Sequence, residues 1–218
     1  MMRLHRLTSF IMGAAAALMM AGAAQAAAIT DLFNTGVDGA GVALVGGNGV
    51  ADSHYTVFAS DLAVTTGVSA VTYYNVAYAA EDADSRWISH SANGSPGNGT
   101  TTFRTTFTIG GDFDPLTAAI SGLWGADNIG AIFLNGVDTG ISHAGFNSLV
   151  AFNIASGFVS GVNNLDFVIR DTGPPLAFRV DNISGTVDRL QAPDVSEPAM
   201  LGVFLVGLLG FAARRRRI

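Results

Sequence analysis

Along most of the chain apolar and polar side chains alternate with a period of two, the pattern of a strand with one buried face. The clearest run is 101–109, where Phe103, Thr105, Phe107 and Ile109 point one way and Thr102, Arg104, Thr106 and Thr108 the other. Leu165, Phe167 and Ile169 alternate with Asp166, Val168 and Arg170, and Leu176, Phe178 and Val180 alternate with Ala177, Arg179 and Asp181. Further strands are predicted over 55–60, 70–79, 118–124, 131–134 and 148–154. Gly, Asn and Asp fall between these runs at short intervals, and Asn135-Gly136 is a hairpin-turn pair. Segments 36–49 and 91–102, rich in Gly, Asn and Ser, read as loops. Many short strands with no helices to cover a parallel sheet predict an all-β fold: a single antiparallel β-sandwich or jelly roll over residues 27–194.

The two ends follow a different pattern. Arg3, His5 and Arg6 precede an apolar stretch over 7–22, and Ala24-Gln25-Ala26 fits the small-x-small site of signal peptidase. Residues 1–26 therefore read as a signal peptide whose apolar part is a helix. At the other end Ser196-Glu197-Pro198 leads into an uncharged apolar run over 199–213, followed by Arg214, Arg215, Arg216 and Arg217. As a helix that run spans roughly 22 Å, somewhat less than the roughly 30 Å hydrocarbon core. Arginine stems that snorkel make up part of the difference. Pro198 suits a first helical turn, and the arginine cluster predicts that the helix end stays cytoplasmic with the body outside.

An acidic, proline-bearing tripeptide, a short apolar helix and a terminal arginine cluster, paired with a signal peptide, resemble the PEP-CTERM sorting signal of exported bacterial proteins. The resemblance covers 195–218, and Ser196 stands where the first proline of that motif usually is. It implies processing near Ser196, Glu197 and Pro198 by a membrane protease-transpeptidase called exosortase. An inner-membrane intermediate would then be released to the cell surface or an extracellular polysaccharide matrix.

Charge and composition narrow what the body does. It carries five arginines against 16 acids, a balance of −11, and the whole chain contains neither lysine nor cysteine. Such a surface repels phosphate backbones, which argues against nucleic acid. Thiol nucleophiles, cysteine metal sites, a lysine Schiff base and a P-loop lysine are excluded by composition. His54, His90 and His143 show no metal-ligand spacing and read as surface or strand histidines. Glu81, Asp82 and Asp84 put three carboxylates within four residues, and Asp112 with Asp114 offers two more, so a structural calcium is the candidate cofactor, with the first run as its site. The same acids are the candidates for a glycan-acting hydrolase, which needs paired carboxylates.

Within the body, residues 101–187 resemble the galactose-binding-domain-like jelly rolls. The likeness rests on the strand from Phe103 to Ile109, on Trp124-Gly125-Ala126-Asp127-Asn128, on Leu134-Asn135-Gly136, and on Gly161-Val162-Asn163-Asn164-Leu165. It implies carbohydrate binding. For that chemistry Trp87, in the polar segment 84–90, is the expected exposed aromatic, and Asp127 and Asn128 are the expected partners of sugar hydroxyls. Trp124, in an apolar alternation, reads as core. The expectation is an exported, non-enzymatic surface or matrix protein whose body associates with carbohydrate. A secreted hydrolase and a purely structural surface protein are the alternatives.

Overall fold

The computed structural model describes residues 25–191. Within them the chain is all-β, every strand pairing is antiparallel, and no helix is present. The expected helices over 7–22 and 199–213, Ala24 and the tripeptide-arginine signal lie outside the described residues. Nine strands occur: β1 (Ala26–Ala28), β2 (Ala51–Ser60), β3 (Val68–Thr72), β4 (Ile88–Ser89), β5 (Thr100–Ile109), β6 (Phe113–Leu134), β7 (Val137–Ile154), β8 (Gly161–Arg170) and β9 (Ala177–Arg189).

The antiparallel body matches the sequence pattern, but its hydrogen bonding does not divide into two separate sheets. The order β9-β4-β3-β2-β5-β8-β6 closes on itself because β6 also pairs with β9, giving a ring of seven strands. β1 extends the sheet beyond β9, and β7 extends it beyond β6. An odd ring of antiparallel neighbours can close only if one member reverses direction, and that member is β6. Its first part runs against β9, from Phe113 opposite Arg189 to Asp127 opposite Ala177. Its last part runs against β8, from Ile129 opposite Arg170 to Leu134 opposite Leu165. The runs predicted separately at 118–124 and 131–134 are thus one element folded at Asp127–Asn128, whose peptide is cis. β7 follows β6 through the fold, its register shifting where Ala126 faces Gly145 and Trp124 faces Val150.

The β6–β7 turn is the two-residue hairpin that Asn135-Gly136 predicts. Both residues have positive φ, +53° and +80°, which suits the right-handed twist of the flanking strands.

Burial follows the predicted alternation on β5: Phe103, Thr105, Phe107 and Ile109 face inward, while Thr106 and Thr108 face solvent. β-Branched and aromatic side chains fit a pleated surface buried on one side. Phe167 of β8 is the hub of the core, with ring contacts to Tyr55, Trp124, Phe152 and Phe178. Trp124 is fully buried, as expected. Its indole lies where a methyl group on Gly130 would stand, 2.5 Å from Cζ3, so a glycine is required there for packing rather than for backbone freedom.

The run predicted over 70–79 is not a strand throughout. β3 stops at Thr72, and residues 73–87 leave the sheet as a flap, because Tyr73, Tyr78 and Trp87 form a second apolar cluster with Ala177, away from the main core. That flap covers the outer face of β9. Residues Ala177 to Asp181 are consequently buried on both faces, Phe178 and Val180 toward the core and Ala177, Arg179 and Asp181 beneath the cover.

Candidate functional site

The flap is held down by two arginines. Arg179 projects outward from β9 and is only 1% exposed. Its Nε donates to Ser85 Oγ at 2.7 Å, its Nη1 to the Ala80 carbonyl, and its Nη2 to Asp82 Oδ2 at 2.6 Å. Asp181 Oδ2 stands 3.9 Å away as a second counter-charge. Arg86 donates from Nε to Glu81 Oε2 at 3.0 Å and from Nη1 to the carbonyls of Leu44 and Gly46, tying the flap to the 36–49 loop. Glu81 Oε1 accepts the Trp87 amide at 2.9 Å, and the indole N–H donates to the Ala79 carbonyl at 2.9 Å.

Beside this flap, at the end of the ring where β6 folds, lies a buried polar group. The Tyr78 hydroxyl donates to Asp127 Oδ2 at 2.7 Å, and Asn128 Nδ2 donates to Asp127 Oδ1 at 2.6 Å. Asn128 Oδ1 accepts from both the amide and the hydroxyl of Thr172, at 2.8 Å each. Burial, reinforced by the nearby Asp171 carboxylate, pushes the Asp127 carboxyl up to about 6, against the opposing hydrogen bond from Tyr78. The Tyr78 phenol is raised by the same burial and by its carboxylate partner. His90 is buried against the Ser95–Pro96 carbonyls, neither ring nitrogen makes a well-formed hydrogen bond, and burial lowers its pKa. Asp127 is only 4% exposed, so it is not presented to a polymer outside.

The candidate ligand- and metal-binding residues, Trp87, Asp127, Asn128, Glu81, Asp82 and Asp84, lie at or beside the flap. The expectation of an exposed Trp87 is corrected: the indole is 0% exposed and packs on Tyr78 with ring centroids 4.5 Å apart. Ser85 and Arg86 beside it are polar because they clamp the flap, not because they face water. Asp127 is likewise buried, and Asn128 is half-buried with its side chain engaged by Asp127 and Thr172. Of the three adjacent acids, Glu81 is committed to Arg86 and Trp87, Asp82 to Arg179, Ser85 and the Asp84 amide, and Asp84 is exposed. Although partial burial opposes it, the amide hydrogen bond from Asp84 and the charge of Arg179 hold Asp82 below the ordinary carboxylate range. Among the described residues no group of three or more His, Cys, Asp or Glu side chains is placed to hold a metal ion.

The sequence reading missed Arg179, Tyr78 and Asp171 as members of this region. The available signal was Arg179 beside Asp181 on the outward face of a strand, two charges on a face that would otherwise be wet. No protein-family model matches the chain, and no curated protein gives a significant match.

Proposed function

We propose that the chain is an exported, non-enzymatic surface or matrix protein, delivered by the signal peptide over 1–26 and by an exosortase-processed signal over 195–218. In this reading its body is a compact sandwich-like module that associates with extracellular carbohydrate. The observation that carries the proposal is the pairing of Ala26–Ala28 with Thr186–Asp188. It puts the first and last strands of the body side by side, at the end of β9 opposite Asp127. Both terminal signals then leave from neighbouring points, so a membrane-held intermediate stands on one end and turns the other outward. Cleavage after Ala26 leaves Ala27 and Ala28 to keep their pairing with β9. Among the described residues no helix is long and apolar enough to cross a membrane, so anchoring in this reading falls to residues 199–213.

A second reading, a structural surface protein without a ligand, is favoured by the complete burial of both tryptophans, which leaves no indole face for sugar stacking. Intact mass of the protein exported by an exosortase-bearing host tests the delivery. A mature chain running from Ala27 to about Ser196 is expected, and Glu197→Ala with Pro198→Ala should leave residues 199–218 attached. A wild-type chain that keeps Ile218 at the cell surface removes the processing step from the proposal.

A further inference from the structure

The folding of β6 has a second consequence on the far side of the β6–β7 hairpin. Its tip returns toward the end of β7, and a cleft of about 260 Å³ lies between them. Leu134, Val137, Asp138, Thr139 and Ile141 line it from the tip, and residues from Asn153 to Gly157 line it from the other side. The volume corresponds to about nine waters at about 30 Å³ each. It falls short of the roughly 300–1,000 Å³ typical of sites for drug-sized ligands, a size suited to one small ring.

The walls are fixed in place. Asn135 Nδ2 donates to the Gly157 carbonyl and to Asn163 Oδ1, both at 2.9 Å, while Asn135 Oδ1 accepts the Asn164 amide at 2.9 Å. Asn163, fully buried, in turn clasps Val159 and Gly161. Thr139 Oγ1 is anchored on the Ile132 carbonyl, and Asp138 Oδ1 on the Gly140 amide. What remains unengaged by any described residue is Asp138 Oδ2, the Asn153 amide and the Ser156 hydroxyl, all on exposed residues around buried Leu134 and Ile154. Val137, 69% exposed, forms an apolar lip.

We propose that this cleft binds a single neutral sugar ring, either a free monosaccharide or the terminal unit of a glycan. Val137, the exposed apolar lip, meets the C–H edge of the ring above a floor whose buried apolar side chains are Leu134 and Ile154. Asp138 Oδ2 accepts from its hydroxyls, and Asn153 and Ser156 supply the remaining donors and acceptors. A carboxylate in the site, on a body of charge −11, selects against uronate and sulfated sugars. The proposal rests on the reading of the body as glycan-associated and assigns that reading its site. Walls set before binding lower the ordering cost of taking a ligand.

The test is titration of the full chain, in detergent, with glucose, galactose, mannose, xylose and dextran, with polygalacturonate as the anionic control, read by calorimetry and ligand-observed NMR. At least one neutral sugar is expected to bind. Asp138→Asn keeps the turn contact to Gly140 but removes the charge, and should weaken binding at least about ten-fold, as for one charged hydrogen bond. Ser156→Ala and Asn153→Ala should weaken it with unchanged Tm. Neutral sugar binding that survives all three variants, or binding of polygalacturonate alone, overturns the cleft while leaving a glycan-associated body standing. No binding of any glycan overturns both.

Discussion

Arg179 and Asp82, 97 residues apart in sequence, meet at 2.6 Å across the joint between β9 and the flap. The pair is lopsided: the Arg179 side chain is 2% exposed and the Asp82 side chain 47%. Removing the buried partner should therefore cost far more than removing the wet one. Arg179→Ala leaves the Ala80 carbonyl without its donor under the flap and removes the counter-charge beside Asp181, a loss of about 3–5 kcal/mol. Asp82→Ala leaves Arg179 with Ser85, Ala80 and Asp181, and should cost about 1–2 kcal/mol. Urea denaturation at pH 7 measures both. Equal losses would mean that the flap is not held through the buried guanidinium.

The Asp127 carboxyl provides a pH signature. Its pKa is raised by burial to about 6, above the ordinary 3.8 that applies when the chain is unfolded. Between those values the folded protein holds more protons on this group than the unfolded one, so its contribution to stability falls as pH rises from 4 to 6. His90 acts the other way, since a histidine pKa lowered by burial makes the fold less stable in acid. Comparing wild type with Asp127→Asn cancels the histidine. The wild type should be relatively more stable at pH 4 than at pH 7, and the difference should flatten above 6. A difference independent of pH would show that folding does not move the Asp127 carboxyl from its ordinary value.

How much of this was legible in the sequence depends on which force set each feature. The inward positions of β5 follow from alternation because one face of that strand meets the core and the other meets water. The Asn135-Gly136 turn is local chemistry and is equally readable. The closed ring is not, because it depends on β6 folding back at Asp127–Asn128, and no period in 113–134 marks that bend. Trp87 illustrates the remaining failure. Ser85, Arg86 and Trp87 stand in a polar segment that looks solvated, yet all three are buried. Arg86 and Trp87 are met from within the flap itself, by Glu81 and the Ala79 carbonyl, and Ser85 finds Arg179 only when the flap closes over β9. Where polar groups satisfy one another at long range, polarity stops reporting exposure.

Packing at the bend can be tested through Gly130. A methyl group added there would lie 2.5 Å from Trp124 Cζ3, 2.8 Å from Cη2 and 3.0 Å from Ala126 Cβ. Gly130→Ala should destabilise by about 1–3 kcal/mol through overpacking. Trp124→Phe on its own opens a cavity and is also destabilising. Combined, the smaller ring makes room for the methyl group, so the double variant should be more stable than the sum of the single losses predicts. Strict additivity would mean that the glycine is required for some reason other than the indole.

On the opposite wall, Arg104 of β5 faces Asp166 of β8 in direct register, with Nε and Nη2 donating to the two carboxylate oxygens at 2.6 and 2.7 Å. The same guanidinium lies over Phe58, its Cζ 3.4 Å from the ring centroid. Phe58 is 47% exposed, so its ring is covered by the arginine rather than by the core. This links β2, β5 and β8 across one face. Arg104→Lys keeps the charge but loses the fork that spans the carboxylate and the plane that covers the ring. It should therefore destabilise nearly as much as Arg104→Gln. A double-mutant cycle of Phe58→Ala with Arg104→Gln should show a coupling of about 0.5–1 kcal/mol, the range for a cation over an aromatic face near the surface. A lysine that substitutes without loss would assign the site to net charge alone, and the planar contact with Phe58 would then contribute nothing.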